Sequence, residues 1–108
     1  MRTLLKQYFG FDGFRPLQED IINHVLAGRD ACVIMPTGSG KSLCYQLPAL
    51  ALDGITLVIS PLIALMKDQV DALCANGIKA ACINSAMSPD AIRTILHEAR
   101  AGQWKLLY

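Results

Sequence analysis

The fold is decided by the stretch Ala31-Cys32-Val33-Ile34-Met35-Pro36-Thr37-Gly38-Ser39-Gly40-Lys41-Ser42. Residues 31–35 form an apolar run with β-branched members, which predicts a buried strand. A glycine-rich turn follows, and a helical pattern then runs from about Lys41 to Leu52. A strand, a glycine-rich turn and a helix in this order form the context in which backbone N–H groups bind phosphate.

The turn from Pro36 to Ser42 is predicted to bind the phosphates of a nucleoside triphosphate. Glycines allow the backbone to turn so that several N–H groups point inward, beside the positive end of the next helix. Lys41 can reach the β- and γ-phosphates, and the Ser42 hydroxyl can bind the Mg²⁺ ion that bridges them. We therefore assign Lys41 and Ser42 as candidate catalytic residues. The candidate ATP-binding residues of the loop are Pro36, Thr37, Gly38, Ser39, Gly40, Lys41 and Ser42.

The general phosphate-loop pattern is not complete, because Met35 occupies a position where glycine is usual. The alternative is a glycine-rich turn that only joins a strand to a helix. The intact Gly40-Lys41-Ser42 sequence between a predicted strand and a predicted helix favours the phosphate site.

The rest of the chain alternates between short apolar runs and helical patterns. Further strands are predicted near residues 55–59, 79–83 and 104–108, and helices at residues 3–9, 16–27, 62–75 and 89–100. Strands that alternate with helices imply a parallel sheet with helices on both faces. The sequence thus predicts an α/β fold of the P-loop NTPase class. Because the chain stops inside the last predicted strand, we expect it to be truncated.

Composition excludes some classes of function. The chain has 108 residues, 53% of them hydrophobic, a mean hydropathy of +0.35 and a net charge of +1. No apolar run exceeds five residues, whereas a membrane span needs about 20, and no secretory signal is recognisable. We expect a cytoplasmic protein, or a nuclear one in a eukaryote. Since there is no basic block, DNA binding has to come from specific residues.

The four cysteines are Cys32, Cys44, Cys74 and Cys82. They form no C-x-x-C pair and stand at no ligand spacing from a histidine. We expect buried free thiols and no metal-binding cysteine site.

Several segments together resemble RecQ-type DNA helicases. Residues 9–18, FGFDGFRPLQ, are similar to the adenine-recognition segment of that family. Residues 35–46, MPTGSGKSLCYQ, resemble its phosphate loop, which accounts for methionine at position 35. Residues 58–70, VISPLIALMKDQV, resemble a motif that lies along bound single-stranded DNA, and residues 82–85, CINS, match a further short segment. The resemblance covers about residues 4–108, in the order of the family.

The resemblance implies roles for three residues before the phosphate loop. Phe11 would stack on the adenine ring, Arg15 would pack on the nucleotide, and Gln18 would read the adenine edge with an amide that both donates and accepts. Taken alone, Phe11 would be a core aromatic residue and Gln18 a solvated helix residue. Their position ahead of a phosphate loop favours the binding roles.

The resemblance also implies DNA contacts by Ser60, Pro61, Asn84 and Ser85. The Ser60-Pro61 turn ends a predicted strand, where the loops of parallel sheets meet ligands. A hydroxyl and nearby backbone amides can bind DNA phosphates without a basic run. Residues 62–70 also fit an ordinary amphipathic helix, and both interpretations can hold together.

For the intact protein, the resemblance implies an ATP-driven helicase that unwinds DNA in the 3′ to 5′ direction, with roles in DNA repair and recombination. Its cofactors would be ATP and Mg²⁺, and its partners single-stranded and duplex DNA. Residues 1–108 would be the first part of a RecA-like ATP-binding domain, with the adenine-recognition segment in residues 1–30 and the βα units in residues 31–108. The acidic motif, the arginine finger and the zinc-binding region of the family would follow Tyr108, so we expect the 108 residues alone to be inactive.

Two alternatives remain open. A DEAD-box RNA helicase shares the loop and a glutamine-based adenine motif, although Ser60-Pro61-Leu62 differs from the Pro-Thr-Arg-Glu-like residues usual in that group. A non-catalytic nucleotide-binding module is the other.

Overall fold

The computed structural model describes residues 1–36 and 40–108. Thr37, Gly38 and Ser39, which belong to the predicted phosphate loop, lie outside the described residues. The chain divides into two units, Met1–Asp53 and Gly54–Tyr108. Within the described ranges, no helix is long and apolar enough to span a membrane. The division into residues 1–30 and 31–108 stays a prediction.

The first unit consists of helices. An N-terminal segment, residues 2–9, starts as a short helix and continues as a π-helical stretch. Two longer helices follow, and α2 packs against α3. The elements are α1 (Arg2–Leu4), the π-helical stretch (Leu5–Phe9), α2 (Gln18–Leu26) and α3 (Leu43–Ala51).

The core of this unit joins its helices through fully or nearly fully buried side chains, Leu5, Ile22, Leu43 and Leu47. Partly buried residues pack around them, among them Leu4, Phe9 and Phe14. Each buried Leu or Ile contributes about 1.5–3 kcal/mol relative to exposure. The N-terminal segment is therefore anchored by Leu5 and not attached loosely.

The start of α2 differs from the sequence prediction. The predicted helix over residues 16–27 would place Pro16 at its first position, but the helix begins at Gln18. Pro16 instead lies in a turn that is closed by a 3.2 Å hydrogen bond from the Gln18 N–H to the Arg15 carbonyl. Leu17 has a φ of 71°, a left-handed conformation, which fits a type II turn with proline at its second position. The φ of proline suits both a helix start and such a turn, so the residue alone cannot distinguish them.

The strand predicted at residues 31–35 is wrong for this structure. No strand is assigned there, and Ile34 is 94% exposed while Met35 is buried. An apolar run becomes a strand only when a neighbouring backbone pairs with it. Within the described part of the chain, the three strands that pair with one another all lie after Gly54.

The second unit is a parallel three-stranded sheet with two helices. Strand order is β1-β3-β2, and both pairings are parallel. The elements are β1 (Thr56–Leu57), α4 (Ile63–Ala75), β2 (Ala80–Ala81), α5 (Pro89–Arg100) and β3 (Leu106–Leu107). The α/β class with a parallel sheet is thus confirmed, and three of the four predicted strands are found, each only two residues long.

Local signals set the ends of these helices. At α5 the Ser88 hydroxyl accepts a 3.2 Å hydrogen bond from the Ala91 N–H, as expected for an N-cap. At the end of α4, Gly77 has a φ of 82°, and the Ile78 N–H bonds to the Leu73 carbonyl at 3.0 Å. This pattern is a Schellman motif, for which glycine is preferred because it has no Cβ.

Burial of the cysteines is only partly as expected. Cys44 is buried, but Cys32 and Cys74 are exposed and Cys82 is intermediate. Cys32 lies in the exposed segment where no strand forms. Cys74 follows the buried Leu73 on α4, and neighbouring helix positions point in different directions. All four are free thiols.

Candidate nucleotide-binding site

A cavity of about 260 Å³ lies in the first unit. It is bounded by the end of the N-terminal segment, by the recognition loop (residues 10–17), and by the start of α3. The lining residues are Phe9, Phe11, Gly13, Arg15, Gln18, Gly40, Ser42, Leu43 and Gln46. The structure thus brings the three residues singled out before the phosphate loop together with two residues of that loop.

Gln18 is the central polar residue of this cavity. It is 3% exposed and is the first residue of α2. Its Oε1 accepts a 2.8 Å hydrogen bond from the Arg15 N–H, and its Nε2 donates a 3.0 Å hydrogen bond to the Gly40 carbonyl. The amide therefore ties the recognition loop to the phosphate loop, which lies 22 residues later.

Gly40 cannot be replaced without disturbing Gln18. Its φ is 79°, a left-handed conformation that residues with a Cβ rarely adopt. A Cβ built at this position would overlap the Gln18 Nε2. The glycine requirement here thus has two causes, the backbone conformation and the close approach of a side chain.

Phe11 and Arg15 line the cavity and are exposed to solvent. Phe11 is 54% exposed although it is a large aromatic residue, and Arg15 is also exposed. An exposed aromatic ring at the rim of a cavity is available for stacking against a flat ligand. The interpretation of Phe11 as a core residue is therefore not supported.

The described phosphate-loop residues differ in their surroundings. Ser42 is partly buried and lines the cavity, while the Lys41 side chain and Pro36 are exposed and do not line it. The carbonyls of Lys41 and Ser42 accept hydrogen bonds from the backbone N–H groups of Cys44 and Gln46, at 3.1 and 3.0 Å. The loop therefore runs directly into α3. Burial raises the pKa of the Cys44 thiol, which keeps it neutral beside this site.

Four lining residues were not assigned from the sequence, namely Phe9, Gly13, Leu43 and Gln46. All of them lie inside or beside the segments quoted for the resemblance. Gln46 is the most notable, because it is 7% exposed in an otherwise apolar helix. Gln46 could have been identified from the sequence, because it is a glutamine within an apolar helical run. A buried amide is costly unless it is hydrogen-bonded, so such a residue indicates a specific role.

The candidate DNA-binding residues lie in the second unit. Ser60 follows β1, and its hydroxyl accepts a 3.2 Å hydrogen bond from the Leu62 N–H. Asn84 follows β2, and its Oδ1 accepts a 2.9 Å hydrogen bond from the Ala86 N–H. Because β3 lies between β1 and β2, the two strands are about 10 Å apart. Both turns stand at the carboxyl edge of one parallel sheet, and Pro61 and Ser85 beside them are exposed.

Comparison with known proteins identifies the family. The sequence profile of the DEAD/DEAH box helicases matches residues 15–105. This match covers most of the chain and includes the loop, the cavity residues from Arg15 onward and the strands β1 and β2, and it ends just before β3. The chain therefore belongs to the DEAD/DEAH box helicase family.

Curated relatives specify the similarity further. The ATP-dependent DNA helicase RecQ of Haemophilus influenzae is 56% identical over 106 residues, which are 98% of this chain and 17% of the relative. The protein of the same name from Bacillus subtilis is 53% identical over 109 residues, 99% of this chain and 18% of the relative. The resemblance to RecQ-type helicases is confirmed. The chain spans less than a fifth of the length of these proteins.

A solved structure supports the fold. A hypothetical ATP-dependent RNA helicase from Sulfolobus tokodaii superimposes with a TM-score of 0.76 and 25% sequence identity, covering 99% of this chain and 33% of its own. The DNA helicases named above are more than twice as similar in sequence. The similarity thus favours the RecQ-type interpretation over the RNA helicase alternative.

Proposed function

We propose that this chain provides the adenine and phosphate site of an ATP-dependent DNA helicase of the RecQ type, which unwinds DNA in the 3′ to 5′ direction. One observation carries the proposal: Phe11, Arg15 and Gln18 surround the same cavity as Gly40 and Ser42. The cavity volume of about 260 Å³ is near the lower end of small-molecule sites, roughly 300–1,000 Å³. This size suits the base of a nucleotide whose phosphates extend beyond the cavity.

Gln18 has the hydrogen-bonding capacity to select adenine. A side-chain amide has two donor and two acceptor sites, and two backbone groups occupy one of each in this structure. As far as the described residues 1–36 and 40–108 go, one donor and one acceptor remain. Adenine presents an N6 donor beside the N7 acceptor, whereas guanine presents two acceptors there. The remaining pair on Gln18 is complementary to adenine and leaves one mismatch with guanine.

The phosphates would lie at Pro36 to Ser42. The charge of Lys41 would compensate the β- and γ-phosphates, and the Ser42 hydroxyl would contribute a ligand to Mg²⁺. A hard oxygen donor of this kind fits Mg²⁺, which is bound by few protein groups together with phosphate oxygens. ATP hydrolysis supplies the free energy for strand separation, and this chain binds and orients the nucleotide.

The turns at Ser60 and Asn84 would contact single-stranded DNA. Support comes from their place at the carboxyl ends of β1 and β2, where parallel sheets bind ligands. Side-chain hydroxyls and amides, with exposed backbone N–H groups, position phosphates without reading sequence. Such contacts suit an enzyme that moves along DNA of any sequence.

The test is unwinding by the full-length protein. Partial duplexes with a 3′ or a 5′ single-stranded tail, in DNA and in RNA, are incubated with ATP and Mg²⁺. We expect strand separation of the 3′-tailed DNA duplex. Lys41→Ala should abolish ATP hydrolysis and unwinding while the circular dichroism spectrum stays unchanged, because the exposed lysine supports no core packing. Unwinding of the RNA duplex alone, or full turnover by Lys41→Ala, would contradict the proposal.

A further inference from the structure

The N-terminal segment makes specific contacts with the recognition loop. The Arg2 guanidinium lies 5.5 Å from the centre of the Phe14 ring, within the range of a cation–π interaction. Its Nη2 forms a 3.1 Å ion pair with the Glu19 carboxylate. A Cβ added at Gly13 would stand 3.6 Å from the Arg2 Nη1, so the guanidinium also lies against the backbone of the loop. Arg2 thus contacts the loop and the residue after Gln18.

A second cation of the same segment contacts the same loop. Lys6 forms a 2.8 Å ion pair with Asp12. The hydrogen bond and the charge of Lys6 lower the pKa of the Asp12 carboxyl, which favours its charged form. Arg2 and Lys6 are four residues apart, a spacing that places side chains on one side of a helix. The segment itself is anchored by Leu5, which is 0% exposed.

The recognition loop forms a wall between two hollows. Gly13 and Arg15 line the 260 Å³ cavity and also a second hollow of about 410 Å³. Arg2 and Phe14 line the second hollow and not the first. Arg2 therefore supports the wall of the candidate adenine site from behind and does not enter that site.

We propose that Arg2, assisted by Lys6, is a positioning residue that holds the recognition loop in the conformation that presents Phe11 and Arg15 to an adenine nucleotide. This role presupposes the adenine site proposed above. Two glycines, Gly10 and Gly13, give the loop conformational freedom that has to be lost when a ligand binds. Contacts that restrict the loop beforehand reduce this cost and so raise affinity for the nucleotide.

The experiment measures DNA-stimulated hydrolysis of ATP and of GTP by the full-length protein. We compare Arg2→Ala, Arg2→Lys, the double variant Arg2→Ala/Lys6→Ala, and Arg93→Ala as the matched control. Arg93 is 74% exposed at its side chain and forms a 2.7 Å ion pair with Asp90 on α5. The corresponding exposure of Arg2 is 65%. The control therefore removes a similar surface ion pair that belongs to the second unit of the chain.

Arg2→Ala should raise the KM for ATP by about two- to fivefold, as expected for one exposed cation–π contact and one exposed ion pair. The kcat should stay the same. The preference for ATP over GTP should narrow, because the Arg15 N–H of the same loop holds the Gln18 amide that would read the base. Arg2→Lys should fall between wild type and Arg2→Ala, because lysine keeps the charge but lacks the planar guanidinium. The double variant should show a larger increase, and Arg93→Ala none.

An unchanged ratio of the KM values for ATP and GTP in Arg2→Ala would overturn the positioning role. So would a loss of activity that is equal for both nucleotides, or one confined to kcat, because either result indicates a general structural effect. Gln18→Ala separates this failure from failure of the adenine site. If Gln18→Ala narrows the nucleotide preference and Arg2→Ala does not, only the role of Arg2 is wrong. If neither variant changes it, the adenine site and the role of Arg2 both fail.

Discussion

Replacement of Gly40 by alanine tests the junction between Gln18 and the phosphate loop. At a φ of 79°, a residue with a Cβ costs about 1–2 kcal/mol relative to its preferred conformation. The new Cβ would also overlap the Gln18 Nε2, so the 3.0 Å hydrogen bond to the Gly40 carbonyl would be lost. That bond contributes about 0.5–1.5 kcal/mol. Together these effects amount to about 1.5–3.5 kcal/mol.

The loop has to adopt this strained conformation in order to bind the nucleotide, so the cost lowers the affinity for ATP. We therefore expect Gly40→Ala to raise the KM for ATP by about 10- to 400-fold in the full-length protein. Gly28→Ala is the matched control, because Gly28 has a φ of 78° and a Cβ there would meet no atom within 4 Å. It should lower the unfolding temperature without changing the KM for ATP.

A double-mutant cycle isolates the contact itself. In the Gln18→Ala background the added Cβ no longer meets the amide, so only the backbone strain of about 1–2 kcal/mol remains. The two substitutions together should then cost about 0.5–1.5 kcal/mol less than the sum of their separate effects. Strict additivity, or a KM for Gly40→Ala equal to that of the Gly28→Ala control, would refute the proposed junction.

Three further outcomes are expected. Gln18→Ala should weaken ATP binding by about three- to tenfold and narrow the preference for ATP over GTP, as expected for one lost hydrogen bond. Titrations with both nucleotides measure this preference, and an unchanged value would mean that other residues recognise adenine. Leu17→Gly should stabilise the protein by about 0.5–1 kcal/mol, since relief of the left-handed strain exceeds the entropy cost of glycine; a lower unfolding temperature than wild type would contradict the assigned turn. Iodoacetamide at pH 8 should modify the exposed Cys74 well before Cys44, because burial raises the pKa of the Cys44 thiol and lowers its thiolate fraction. Mass spectrometry of the protein labelled in its native state gives the order of modification, and early modification of Cys44 would show that it is not buried.

Much of the fold could be predicted because its signals are local. Helix ends at Ser88, Gly77 and Gly28 follow from capping groups and from the freedom of glycine, which act within a few residues. The alternation of strands and helices also predicted a parallel sheet, since a parallel pair needs a connection long enough for a helix. The candidate phosphate-loop and adenine-recognition segments were proposed from their residue types and order, and their roles stay predictions.

The segment at residues 31–35 shows what local sequence signals cannot predict. Its composition favours a strand, but pairing is a long-range event that needs a partner backbone, and the composition of five residues contains no information about the partner. The same limit applies to Pro16, whose fixed φ suits a helix start and a turn equally. In both places the local preference leaves two conformations possible, and contacts with the surrounding structure decide which one forms.

By itself, the sequence determined the class of fold, the family resemblance and five of the nine residues that line the candidate site. Only the tertiary structure brought Gln18 against Gly40, 22 residues away, and Arg2 against Glu19, 17 residues away. The physical reason is that helix signals act through hydrogen bonds between near neighbours, whereas a cavity is formed by elements that pack across the chain. The cavity and the contacts of Arg2 with the recognition loop were therefore decided by the packing of the N-terminal segment, α2 and α3 around Leu5 and Ile22.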